Sequence, residues 1–139
     1  AVLETNIDRW NARHDLVADR LRGMNNVYVP HRPKEERYVG SSFQFLMPDA
    51  SPEVMMQVVE RAKALGVELK WFGADSPVGF TSNHQSWRYI APQELPQTDA
   101  ILSGLIDMRI PLTFSLEDCA QVAEIIAHVV TQVTQKGAA

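Results

Sequence analysis

The stretch YVGSSFQFLMPDASPEVMMQVVERAKALGVELKWF, residues 38–72, changes its hydrophobic period twice. Residues 38–47 alternate, with Val39, Ser41, Phe43, Phe45 and Met47 on one side and Tyr38, Gly40, Ser42, Gln44 and Leu46 on the other. That two-residue period predicts a strand, which we place at the centre of a sheet. From Ser51 the apolar residues fall three and four apart instead, so that Val54, Met55, Val58, Val59, Ala62 and Leu65 make one helical face. The boundaries of this helix are marked: Ser51 can accept from a first-turn amide, Pro52 has no N–H to lose at the first position, Glu53 lies in the first turn, and Gly66 can turn left-handed past the end. Alternation then returns in VELKWF, with Val67, Leu69 and Trp71 opposite Glu68, Lys70 and Phe72.

Working outward, Ile7, Trp10, His14, Val17, Leu21 and Met24 define an amphipathic helix over residues 6–22, capped by Thr5 or Asn6 and closed by Gly23. His14 lies on its apolar stripe with no second metal-type residue one turn away, which favours a packed histidine over a ligand. NNVYVPHRPKEER reads as an extended connection. Further on, Gln97 or Thr98 can begin a short helix, and IDMRIP gives a third strand, with Ile106, Met108 and Ile110 opposite Asp107 and Arg109, stopped by Pro111. In SLEDCAQVAEIIAHVVTQV, Ser115 and Asp118 form a capping-box pattern and Leu116, Cys119, Val122, Ile126, Val129 and Val133 line one face. Cys119 therefore reads as a small core residue. The elements predict an α+β two-layer sandwich, a small sheet of about three strands covered by helices, in one domain spanning residues 1–139. Parallel and antiparallel pairings both remain open.

A length of 139 residues suits one domain, and the 45% hydrophobic and 22% charged fractions are those of a soluble globular protein. No apolar run reaches the roughly 18 residues a membrane span needs. Thirteen basic residues against 17 acidic ones give no electrostatic reason to expect nucleic acid or a membrane surface as partner. A single cysteine suggests a reducing compartment, and with no secretion signal visible the expected location is the cytoplasm. The chain begins without Met, as a trimmed or partial chain would.

Residues 70–90, KWFGADSPVGFTSNHQSWRYI, are the segment whose composition favours function. Gly73, Pro77 and Gly79 prevent regular pairing, yet Phe72, Phe80 and Trp87 still need a partner surface: the domain's own core, an interface or a pocket wall. Ser82, Asn83, His84 and Gln85 supply hydrogen-bonding groups, and His84 with Asp75 is the nearest approach to an acid–base pair. There is no phosphate loop, HExxH, GxSxG or paired-cysteine motif, and His14, His31, His84 and His128 share no ligand spacing, so neither catalytic nor metal residues are assigned.

The succession NIDRWNARHDLVADRL, VGSSFQF, SPEVMMQVVERAKALGV, the aromatic loop and LPQTDAILSGLIDMRIPLTFSLEDCAQVAEIIAHVV resembles the C-terminal small domain of DegT/StrS-type aminotransferases. The resemblance runs over residues 6–133. It implies a pyridoxal-phosphate-dependent parent family, often acting on nucleotide sugars, in which a large domain carries the Schiff-base lysine and most phosphate contacts. Lys34, Lys63, Lys70 and Lys136 do not stand in that lysine's context, so the resemblance implies no cofactor bound, and no transamination, by this chain alone. Its partner would be the large domain or a second subunit, with a homodimer possible. Where the family has a His-Tyr-Pro phrase this chain has Trp71 and Phe72, and of a later His-x-Gln phrase it keeps His84 and Gln85. The resemblance thus offers Asn83, His84 and Gln85 as substrate-side residues, and Phe72, Phe80 and Trp87 as interface or pocket wall. The alternative is a free-standing, non-enzymatic module that uses the same fold for binding or self-association.

Overall fold

The computed structural model describes residues 1–78 and 83–136. In chain order they form α1 (Val2–Leu21), β1 (Ser42–Leu46), α2 (Pro52–Ala64), β2 (Lys70–Trp71), α3 (Pro96–Leu102), β3 (Leu105–Arg109) and α4 (Leu116–Lys136). The three strands lie in the order β1-β3-β2, with both pairings antiparallel. The α+β class is as expected, but β1 is an edge strand and β3 is the central one. Alternation reports that one face is buried, and every strand of a sheet covered on one side shares that pattern. The outer edge of β1 is partly closed, because Tyr28 and Leu46 exchange backbone hydrogen bonds of 2.8 Å in both directions.

One face of the sheet is the core. Phe43 and Phe45 pair in register with Met108 and Ile106, and this layer joins Val17 and Leu21 of α1, Met55, Val58 and Ala62 of α2, and Ile126, Val129 and Val130 of α4 in one buried cluster. The other face carries Gln44, Lys70, Asp107 and Arg109. β2 is shorter than VELKWF suggested: Val67 and Leu69 are buried, but only Lys70 and Trp71 join the ladder.

The expected helix boundaries hold for α2 and α4. Ser51 Oγ accepts from the Val54 amide at 3.3 Å, and the Ser115–Asp118 box is complete, with Asp118 N donating to Ser115 Oγ at 3.0 Å and Ser115 N to Asp118 Oδ2 at 2.7 Å. Gly23 and Gly66 have φ of 84° and 89°, the left-handed conformation expected past a helix end. α1, however, already includes Thr5 and Asn6, and the Thr5 hydroxyl donates to the Ala1 carbonyl instead of capping a helix. Leu65 and Leu116, placed on buried faces by periodicity, are exposed at the ends of α2 and α4, where the sheet no longer covers the helix.

α1 is tied to the far end of the chain. The Trp10 indole donates to the Ile110 carbonyl at 3.0 Å, Arg13 Nε to the Phe114 carbonyl at 2.7 Å, and Arg20 pairs with Glu124. It also holds the connection before β1: Asn11 accepts from Gly40 N at 2.8 Å and donates to the Tyr38 carbonyl at 3.0 Å. His14 packs edge-on between Tyr38 and Phe43, with ring centroids 5.5 and 5.4 Å away and Nδ1 3.1 Å from Asp15 Oδ1. Burial holds its pKa below the ordinary value. Gly40 permits this packing, since a Cβ there would come within 2.5 Å of His14 Cβ. Cys119 is buried in the core, as expected, and burial pushes its thiol pKa up. No described helix is long and apolar enough to cross a membrane.

Candidate functional site

The loop leaves the sheet at Phe72, whose amide donates to the Leu105 carbonyl at 3.0 Å. Trp71 anchors the exit, its indole donating to the Ser103 carbonyl at 2.8 Å, and Gly73 lies so close to the Trp71 ring that a Cβ would fall 2.6 Å from Nε1. The chain comes back at Asn83, whose amide donates to the Ala74 carbonyl at 3.1 Å and whose side-chain NH₂ donates to Asp75 Oδ1 at 3.3 Å. Asn83 Oδ1 accepts from Ser86 N at 3.3 Å, so this residue caps the single 3-10 turn His84–Ser86.

His84 is only 7% exposed, and its Nε2 lies 2.7 Å from Asp99 Oδ1 on α3. The carboxylate accepts and Nε2 carries the proton, which fixes the tautomer and ties the turn to α3. The acid–base partner suggested by sequence proximity, Asp75, bonds to Asn83 instead. Gln85 is exposed. Trp87 is 37% exposed and stacks on Tyr89, with ring centroids 5.8 Å apart and planes 12° apart, while Tyr89 is itself 80% exposed. Phe72 is half-buried. Phe80 and Ser82 lie outside the described residues.

Asn83, His84 and Gln85 thus occupy one turn, with Trp87 just beyond it. Sequence reading passed over Asp99 and Tyr89. Asp99 reads as a first-turn acid of a short helix, and nothing in local spacing links it to a histidine in another element. α3 has no buried residue, and Ile90, Leu95 and Ile101 are exposed on the same arm of the molecule. Between the loop and α2 runs an apolar trough of about 330 Å³ lined by Met56, Val59, Leu69, Trp71 and Val78, with Asp75 at its polar side; neither the His84 turn nor Trp87 lines it.

The histidine of the turn is already engaged by a carboxylate, and the side-chain amide of Asn83 is bonded within the chain. Among the described residues no group of three or more His, Cys, Asp or Glu is disposed to hold a metal. Nor do the described residues fit pyridoxal phosphate. Lys34 and Lys63 are exposed and Lys70 is half-buried on the open sheet face, so none is enclosed as a Schiff-base lysine must be. The N-termini of α2 and α4 already hold this chain's own groups, Ser51 and Glu53 at α2, and Ser115 and Asp118 at α4.

No family model matches the chain, and no curated protein matches it in sequence. Solved structures do match in fold. A 3-amino-5-hydroxybenzoic acid synthase superposes with a TM-score of 0.71 and 21% identity over 94% of this chain and 35% of its own. DesI, solved in the presence of its TDP-sugar product, gives 0.73 and 17% over 96% of this chain and 34% of its own. A DegT DnrJ EryC1 StrS aminotransferase from Brucella abortus gives 0.64 and 15% over 92% and 32%. This chain therefore has the fold of a part, about 30–35%, of a DegT/DnrJ/EryC1/StrS-type aminotransferase.

Proposed function

We propose that this chain is the small C-terminal domain of a pyridoxal-phosphate-dependent aminotransferase of the DegT/StrS type, and that it supplies one wall of a pocket completed by a larger domain or a second subunit. The observation that carries this reading is the asymmetry of the match: 94% of this chain aligns with only 35% of a solved synthase chain. The arm supports it independently. A seven-residue helix is too short to be stable in water by itself, and no residue of α3 is buried within this chain, so exposed Ile101 and Tyr89 call for a covering surface. In this reading Phe72, Phe80 and Trp87 belong to that contact. The turn Asn83-His84-Gln85, fixed by Asp99, presents Gln85 towards the shared space. The cofactor and its lysine belong to the remainder of such a protein, and this chain transaminates nothing alone.

The test is direct. The purified 139-residue chain is incubated with pyridoxal phosphate, reduced with borohydride and digested for mass spectrometry. Only scattered, substoichiometric labelling of surface lysines is expected. Stoichiometric trapping on one lysine would overturn the assignment of the cofactor to another part of the protein.

A further inference from the structure

The sheet face opposite the core carries an unusual acid. Asp107, at the middle of the rung Gln44–Asp107–Lys70, is 7% exposed, and its Oδ1 accepts from Gln44 Nε2 at 3.2 Å. No ion pair reaches it among the described residues, and the same holds for its neighbours Lys70 and Arg109. A buried carboxylate without a cation is unfavourable unless something else meets its charge. The β2–β3 ladder ends at this rung, so residues 67–69 run beside Met108 and Arg109 without pairing to them. There a cleft of about 300 Å³ opens, with Glu68, Lys70, Asp107 and Arg109 around it and Met108, Phe114 and Val122 as its apolar part.

We propose that this cleft binds a small zwitterion with an apolar body, the chemistry of a free amino acid with an aliphatic side chain. A simple anion would meet Asp107 and Glu68, a simple cation would meet Lys70 and Arg109, and an uncharged apolar molecule would desolvate both signs with nothing in return. A zwitterion sets its ammonium on Asp107, its carboxylate on Lys70 and Arg109, and its side chain on Met108 and Val122. The volume suits a ligand of that size. The proposal is independent of the aminotransferase reading.

Met108 is a built-in reporter. Of the five methionines it alone lines this cleft, whereas Met56 lines the trough beside α2 and Met47 and Met55 lie in the core. With ¹³C-methyl methionine in the 139-residue chain, L-leucine should move the Met108 signal saturably and leave the others in place. 4-Methylpentanoate, which lacks the ammonium, and isopentylamine, which lacks the carboxylate, should each bind about tenfold more weakly. Arg109→Gln, at an exposed side chain, should weaken leucine by about the same factor. Asp107→Asn should do likewise with the other methyl signals unchanged; if those signals show a perturbed fold, the Arg109→Gln result decides. A Met108 signal that does not respond to leucine, that responds to either truncated analogue as strongly as to leucine, or that is indifferent to Arg109→Gln overturns the proposal.

Discussion

In the helix-covered body Phe43, Phe45, Ile106 and Ile126 have no exposed surface, whereas on the arm from residue 72 to 102 Tyr89 keeps 80% of its surface and α3 has no buried residue. Both regions contain large apolar side chains. In the body those four are enclosed by contacts within the chain; on the described part of the arm, the hydrogen bonds of Asn83, His84 and Trp71 hold the backbone while Tyr89, Ile90 and Ile101 stay exposed. The difference teaches that polar bonds can hold a segment in shape where apolar packing does not, and in the proposed reading the exposed apolar side is the part a larger domain would cover.

The contrast breaks most visibly if the body proves tolerant. Phe45→Ala empties a site with no exposed surface and should lower stability by about 3–5 kcal/mol in urea unfolding; a loss below about 1 kcal/mol would mean that the core is not packed as described.

A pH series sharpens the same comparison. Burial keeps His14 neutral in the folded chain, so its folded pKa lies below the ordinary 6.5 and the unfolded chain takes up the proton first. Its contribution is therefore complete above pH 6.5 and is lost as pH falls below that value. The urea midpoint of the wild type should fall more steeply between pH 7 and pH 5 than that of His14→Gln; equal slopes would count against the packed, neutral histidine.

The smallest effect is expected on the arm. Tyr89→Ala should change stability by no more than about 0.5 kcal/mol, and a larger loss would show that the Trp87–Tyr89 stack belongs to the body.

The body was legible in the sequence because its helices carry both period and caps. Ser51, Pro52, Gly66, Ser115 and Asp118 each perform locally the task their residue type suggests. Strand order was not legible, since Phe43 and Phe45 report a buried face and say nothing about which neighbour lies alongside. The unusual burial of Asp107 was hidden for a related reason: alternation placed it opposite Ile106 and Met108, and only the register shows Gln44 and Lys70 flanking it. In the candidate site the turn residues were singled out by type, but their geometry depends on Asp99, fifteen positions from His84 and in a different element.

The bonds from Trp10 and Arg13 to Ile110 and Phe114 bear on how the molecule is made. α1 leaves the ribosome well before the residues that accept those bonds and before α4, its main packing partner. Until α4 follows, the stripe formed by Val17 and Leu21 lacks the helix that closes over it, so completion of this core depends on contacts distant in sequence. During that interval the apolar stripe of this amphipathic helix stays without its main cover.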